Sequence, residues 1–439
     1  MDAKKTETIS LKLFSDISLL PLATSFVENG SKVFGLSSKD SLSLALATEE
    51  IFAYLCRVTH VPFNLEILAQ KGGYYVKVDF LLPIEDFNMR IFNIASSISL
   101  EDEQGLEELG LFIASRKVDR FQLSELSPGG IILSLIKEKS YPETDNLRIP
   151  EPEEAESYSI KRPSPEELKL FVVITDSNYP KLLIPKSFRY PGKVVDMFLS
   201  GHYDAALAYG ETGSIVGGIV WQWSGPKTVE FFGPYVFSKS FSKDISRDLL
   251  DSCISSIAKS PVVALINRLP TDELPKEQFE LLGALDIVKD DNSIVSLPTY
   301  FRQMQEDTGS YVWIDPAIEK FLRSEYGRLV LPREIRIVRD LGEEKERYSV
   351  LSTDFDRSLN MVILRPIRSG KDSMDNIRNH INLFQRESIR SVFFEMDLAH
   401  PWQVSFTEGL LKSNFSPKLI LPYAGDSDIL VFQWGNRGS

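Results

Sequence analysis

The stretch Arg365-Pro-Ile-Arg-Ser-Gly-Lys-Asp-Ser373 places three basic side chains and a glycine between two apolar segments. Leu359 to Leu364 before it reads as a strand, and Met374, Ile377, Ile381 and Phe384 after it fall at helical spacing. The first amides of a helix have no partner within the helix, so a basic turn that enters one can hold an anion. Arg365, Arg368, Gly370 and Lys371 are the candidates for that chemistry, and the competing reading is a solvated basic turn that offsets an acidic chain. Other reactive side chains show less pattern. His60, His202, His380 and His400 are scattered without metal-ligand spacing, so no metal site is expected. Cys56 and Cys253 lie far apart inside apolar helical patterns, which favours buried thiols in a reduced compartment over a disulfide or zinc site.

Composition narrows the class of protein that carries these residues. With 62 acidic against 49 basic residues and a net charge of −13, the 439-residue chain lacks the clustered positive charge of a broad nucleic-acid footprint. Its length allows two to four domains, and its 43% hydrophobic content allows sizeable cores. Met-Asp-Ala-Lys-Lys-Thr-Glu at the start has no apolar signal core, and no stretch approaches about 18 uninterrupted apolar residues. A cytoplasmic protein without a membrane partner is expected.

Several elements must position the reactive residues. The first domain, residues 1 to 140, reads as α+β. It has a helix over 40 to 58 with a core stripe of Leu42, Leu46, Ile51, Leu55 and Val58, a hairpin of Phe63–Ala69 with Tyr74–Leu82, a helix near Leu106 to Arg120, and a strand from Ile131 to Lys137. Residues 141 to 167, rich in proline and acids, read as a linker. Beyond it, Gln303 and Gln433 stand 130 positions apart, as do Leu281 and Leu411, and loop–helix starts near Ser238 and Arg368 match them. Two copies of one fold are expected, over 168 to 308 and 309 to 439.

Two resemblances give these elements a chemistry. Ser41 to Arg57, with Glu49-Glu50 at its centre, resembles the first helix of the GHKL fold of sensor histidine kinases and anti-sigma-factor serine kinases. Gly110-Leu-Phe-Ile-Ala114 is similar to the family's phosphate-lid run, and Leu126 to Lys137 to its closing hairpin. The resemblance implies Glu50 as the base that orients water or a hydroxyl, Asp79 as the adenine-binding acid, and Gly105 and Gly110 as remnants of the nucleotide lid. Tyr54 stands where the family has a metal-binding Asn, and Phe80-Leu-Leu-Pro83 stands where it has glycines. The resemblance thus implies a retained fold without ATPase or kinase turnover, because a phenol does not hold Mg²⁺ as an amide oxygen does, with ATP binding without turnover as a third alternative.

The later halves resemble the GNAT acetyltransferase fold, a splayed mixed sheet whose strand–helix loop wraps acyl-CoA pyrophosphate. Ser214 to Trp223 and Thr228 to Phe237 look like its central strands, Lys243 to Lys259 like the following helix, and Phe415 to Gln433 like its closing hairpin. Ser238-Lys-Ser-Phe-Ser-Lys-Asp244 lacks the family's glycines, so Arg365, Arg368, Gly370 and Lys371 become the CoA-phosphate candidates. The family's use of a Glu base and a Tyr acid points to Glu230, Tyr235 and Glu395.

The expectation is thus a multidomain α+β and α/β chain, a GHKL-like sandwich followed by tandem GNAT-like mixed sheets with flanking helices. The implied function is that of a bacterial regulatory or signalling protein, binding a partner protein as an anti-sigma factor does, with a ligand-sensing or scaffolding GNAT-like pair. The alternative is an N-acyltransferase that uses acetyl-CoA or another acyl-CoA and is regulated by the first domain. Oligomeric state is left open.

Overall fold

The computed structural model describes residues 7–58, 63–82, 90, 93–95, 114, 116–125, 130–143, 156–339 and 346–435. These form two compact units. One comprises Met1–Ser140 with Glu346–Ser352 and Gly370–Asp372, and the other comprises the remaining residues from Tyr141 onward. Among the described residues, no helix is long and apolar enough to cross a membrane.

In the first unit, β1 (Thr8–Phe14), α1 (Leu20–Val33), α2 (Ser38–Val58), β2 (Asn64–Lys71), β3 (Tyr75–Leu82), β4 (Arg120–Glu125) and β5 (Ile131–Glu138) follow in order. The five strands make one antiparallel sheet, β1-β2-β3-β5-β4. Register sets Ile67 opposite Phe80 and Phe80 opposite Leu133, and because side chains alternate along a strand, all three share a buried face. The α2 stripe differs from the expected one: Leu42 is 50% and Leu46 37% exposed, while Leu44, Ala45, Ala47, Thr48, Ile51 and Leu55 are buried. The small residues of that buried stripe let α2 pack closely on α1 as well as on the sheet, which turns the helix away from the face an apolar count selects. β4 was not expected, and its pairing with β5 makes residues 120–125 strand.

The second unit starts inside the segment that composition marks as linker. β6 (Tyr158–Lys161) pairs with a later strand, and α3 (Pro165–Asn178) begins at a capping box in which Ser164 and Glu167 bond each other's backbone amides. The prolines and acids of residues 163–167 are helix-start chemistry. There follow α4 (Pro191–Ser200), β7 (Asp204–Gly210), β8 (Ile215–Gly225), β9 (Thr228–Val236), α5 (Ser242–Ile257), β10 (Ala264–Asn267), β11 (Glu280–Val288) and β12 (Ile294–Gln303). Their sheet runs β11-β12-β10-β9-β8-β7-β6, with β9 and β10 parallel and joined through α5.

A parallel pair, β13 (Ser310–Ile314) and β14 (Arg333–Ile337), flanks α6 (Glu319–Arg328) and leads to the last sheet. That sheet is built from β15 (Val350–Asp356), β16 (Met361–Arg368), α7 (Ser373–Arg386), β17 (Ser391–Asp397), α8 (Pro401–Val404), α9 (Thr407–Lys412), β18 (Phe415–Leu421) and β19 (Ile429–Trp434). Its order is β15-β16-β17-β19-β18, and β16 and β17 are parallel across α7 as β9 and β10 are across α5. Gln303 pairs with Ala264 and Gln433 with Phe393, so both glutamines stand opposite the second strand of their parallel pair. Leu281 and Leu411 are not equivalent: Leu281 lies in β11 and Leu411 in α9.

The two sheets of this unit meet along their closing hairpins. The Gln433 amide accepts from the Asp286 amide at 3.1 Å and donates to its carbonyl at 2.7 Å, bonding as a strand neighbour would. At Gly225 a Cβ would lie 2.0 Å from the Tyr423 carbonyl oxygen, so only glycine permits that approach.

Candidate active site

The two parallel ladders end within one residue of equivalent places. β9 and β10 stay in register up to Glu230 and Ile266, and β16 and β17 up to Leu364 and Phe394. With Gln303 and Gln433 as the common reference, Glu230 and Arg365 occupy the same position in their two sheets. Trp221, Val229, Phe231 and Leu265 point toward α5 and join Leu249 and Cys253 in a buried core. Alternation then puts Gln222, Ser224, Glu230, Ile266 and Arg268 on the opposite face. There they meet Arg365, Pro366, Glu395, Asp397, Gln403, Leu421, Ala424 and Ile429 around a cavity of about 370 Å³. A cavity outside the carboxyl ends of parallel strands is where open α/β sheets hold ligands.

Four charged side chains alternate along its wall. Arg268 donates from Nε to Glu230 at 2.7 Å and from Nη1 to Glu395 at 2.9 Å, and Arg365 donates from Nε to the other Glu395 oxygen at 2.7 Å. Gln222 Nε2 donates to Glu230 at 3.2 Å. Glu230 raises the pKa of Arg268 more than burial lowers it, with Glu395 adding to the rise. Burial favours the neutral form of Glu395, yet Arg365 and Arg268 together hold its carboxyl below the usual 4.5.

A depressed carboxylate contributes stability that is present above its unfolded pKa and lost as pH falls through its folded one. Glu395 should therefore help to hold the unit at neutral pH, with the contribution starting to fall near pH 4.5 and lost as pH drops through its depressed folded pKa. Urea midpoints measured from pH 7 to 3 should fall with acid, and Glu395→Gln should flatten that fall. An unchanged slope in the variant would show that the pair contributes nothing to folding.

The structure separates the residues that the sequence grouped. Glu230 and Glu395 line the cavity, but each carboxylate is bound by an arginine and is not a poised base. Tyr235 is fully buried, its hydroxyl donates to the Leu183 carbonyl at 2.9 Å, and burial pushes its pKa far up, so it does not serve as the expected acid. Arg365 and Arg368 belong to β16, and only Ser369 to Asp372 form the turn before α7. In that turn the Lys371 amide donates to Glu346, and a Cβ on Gly370 would lie 2.3 Å from the backbone of Tyr348 and Ser349. The glycine there serves a close chain crossing.

In the first unit, Glu50 is half-buried on α2 and Tyr54 is packed into the core at 5% exposure. Asp79 lies mid-strand on the sheet face opposite Phe80 and accepts from Ser134 at 2.5 Å and Gln70 at 3.1 Å, with Lys77 at 3.0 Å. It is a cross-strand polar pin, not the strand-end acid an adenine site requires. Gly105 and Gly110 lie outside the described residues.

Sequence reading missed Arg268, which directly follows the short strand β10, and the grouping of Asp397, His400 and Asp426. Each of those three offers a ligand atom within 4.8 Å of the others. Asp397 already accepts the amides of Ala399, Asp426 and Ser427, so its carboxylate pins the β18–β19 turn.

The class that the fold defines is a mixed α/β multidomain protein. No family model matches the chain, and none of the curated proteins compared matches it. Among solved structures, it is similar to an N-acetyltransferase from Staphylococcus aureus Mu50, at 17% identity over 34% of this chain and 99% of that one, with a TM-score of 0.29. It is similar to Ard1 from Thermoplasma volcanium, at 16% identity over 34% and 99%, with a TM-score of 0.27. It is also similar to a GNAT-superfamily phosphinothricin acetyltransferase from Sinorhizobium meliloti, at 14% over 34% and 90%, with a TM-score of 0.27.

Proposed function

We propose that the second unit is an N-acyltransferase module that moves an acyl group from acyl-CoA to the amine of a small acceptor held in the cavity. The observation that carries this reading is the placement of one polar cavity at the ends of both parallel strand pairs. In the reaction the amine nitrogen attacks the thioester carbonyl, the C–N bond forms, the C–S bond breaks, and the leaving thiolate takes the proton that nitrogen gives up. Glu230 and Glu395 act here by fixing Arg268 and Arg365 and so the shape of the acceptor site.

The donor phosphates fit the start of α5 better than that of α7. Phe241, at φ 56°, gives no side-chain bond to the first-turn amides of α5, and Lys239 and Lys243 flank it in sequence, with Asp244 the acid of the first turn. Acetyl-CoA should raise the unfolding midpoint, since at about 100 times its Kd a ligand of the folded state adds about 2.7 kcal/mol. Lys239→Glu with Lys243→Glu should remove the shift, whereas Arg368→Glu with Lys371→Glu should leave it. No shift at saturating acetyl-CoA, and no thiol release with an amine panel, would end the transferase reading.

A further inference from the structure

We infer that the cavity binds the carboxylate of a small aliphatic acid, with Arg268 and Arg365 as the groups that hold it. This deepens the acceptor site proposed above and rests on it for the reaction, but not for the binding. The acids lie behind and the arginines in front: Glu230 and Glu395 keep 2% and 11% of their side-chain exposure, Arg268 and Arg365 keep 31% and 41%. What a ligand meets is therefore guanidinium, although Glu230, Glu395 and Asp397 outnumber the two arginines on the wall as a whole.

A guanidinium presents five N–H groups in a rigid fork. Glu230 and Glu395 take the Nε, one Nη1 and, at 3.5 Å, one Nη2 hydrogen of Arg268, which leaves Nη hydrogens for a second acceptor. Because Glu395 bridges both arginines, their planes are set before any ligand arrives, and a pre-oriented donor pair loses less freedom on binding.

The remaining wall selects the rest of the ligand. Ile266, Pro366, Leu421 and Ile429 are aliphatic, and about 370 Å³ lies at the small end of ligand cavities. Two buried glutamates and Asp397 stand close by, so a singly charged carboxylate is tolerated where a doubly charged phosphate meets more repulsion.

The test is calorimetric titration of the full chain with L-leucine, 4-methylvalerate, L-leucinamide and inorganic phosphate. Leucine and 4-methylvalerate should bind, and leucinamide, which lacks the carboxylate, should bind at least about tenfold more weakly. Arg365→Lys and Arg268→Lys keep the charge but lose the fork, and each should weaken 4-methylvalerate about tenfold while unfolding midpoints without ligand show that the variants are folded. Equal binding of leucinamide and leucine would overturn the inference, as would lysine variants that bind normally. Phosphate binding more tightly than either carboxylate would also overturn it. Carboxylate binding without any acetyl-CoA response would sustain the inference while the transferase reading fails.

Discussion

Arg333→Met is expected to cost about 3–5 kcal/mol, the range for removing one member of a buried ion pair. Arg333 and Asp428 are fully shielded from solvent and Asp307 nearly so, at 2%. The guanidinium forks onto Asp428 at 2.8 and 3.1 Å, donates to Asp307 at 2.7 Å, and lies 4.4 Å from the centre of the Tyr423 ring. Tyr423 donates its hydroxyl to Asp307 at 2.5 Å and its amide to Asp428 at 3.0 Å. Asp307 follows β12 of the seven-stranded sheet, Arg333 opens β14, and Asp428 precedes β19, so one cation clasps three separate stretches of chain. Methionine fills the space but leaves two carboxylates buried without a countercharge, and their ionised forms lose the compensation that offset desolvation. All five tryptophans lie in the second unit, so urea unfolding followed by their fluorescence reads that unit without the first. A loss below about 1 kcal/mol would mean that the cluster is hydrated in solution.

Local signals carried much of the fold. β8, β9 and α5 fall where apolar runs and helical spacing put them, because each is a continuous segment whose pattern answers to one neighbouring core. Thr8 to Phe14, with Ile9, Leu11 and Leu13 in alternation, held an unread period-two signal for β1. Residues 156–167 misled in the other direction, because proline and acids are as typical of a helix start as of a flexible linker, and only the Ser164–Glu167 capping bonds tell them apart.

The site was legible residue by residue but not as an assembly. Glu230 and Glu395 attracted notice as acids on central strands, and Arg365 as a basic group at a turn. Yet Arg268 and Glu395 are separated by 127 positions, and no spacing rule connects a strand of one repeat to a strand of the other. Repetition even worked against the reading: the position that holds Glu230 in the first copy holds Arg365 in the second, so a search for like residues at a constant offset passes over the pair that builds the cavity.

The second large effect is expected at that cavity. Arg268→Met should cost about 3 kcal/mol, because Glu230 keeps only 2% of its exposure and would be left with Gln222 alone. Glu230→Met should also destabilise, since Arg268 then loses the carboxylate that fixes its Nε edge. The double variant should recover much of the combined loss, a coupling of about 1–3 kcal/mol between the two positions, because an apolar pair of similar volume has no buried charge to compensate. Glu395 retains Arg365 in every member of the cycle, so the coupling reads the Glu230–Arg268 contact and little else. Strict additivity would show that the two side chains do not depend on each other, and the rigid presentation of Arg268 to a ligand would lose its physical basis. With coupling observed, the strength of that rigidity follows from comparing acid binding in Glu230→Gln with the parent: the variant keeps a hydrogen-bond acceptor but not the charge, and weaker binding there, at an unchanged unfolding midpoint, would assign Glu230 to the positioning of Arg268.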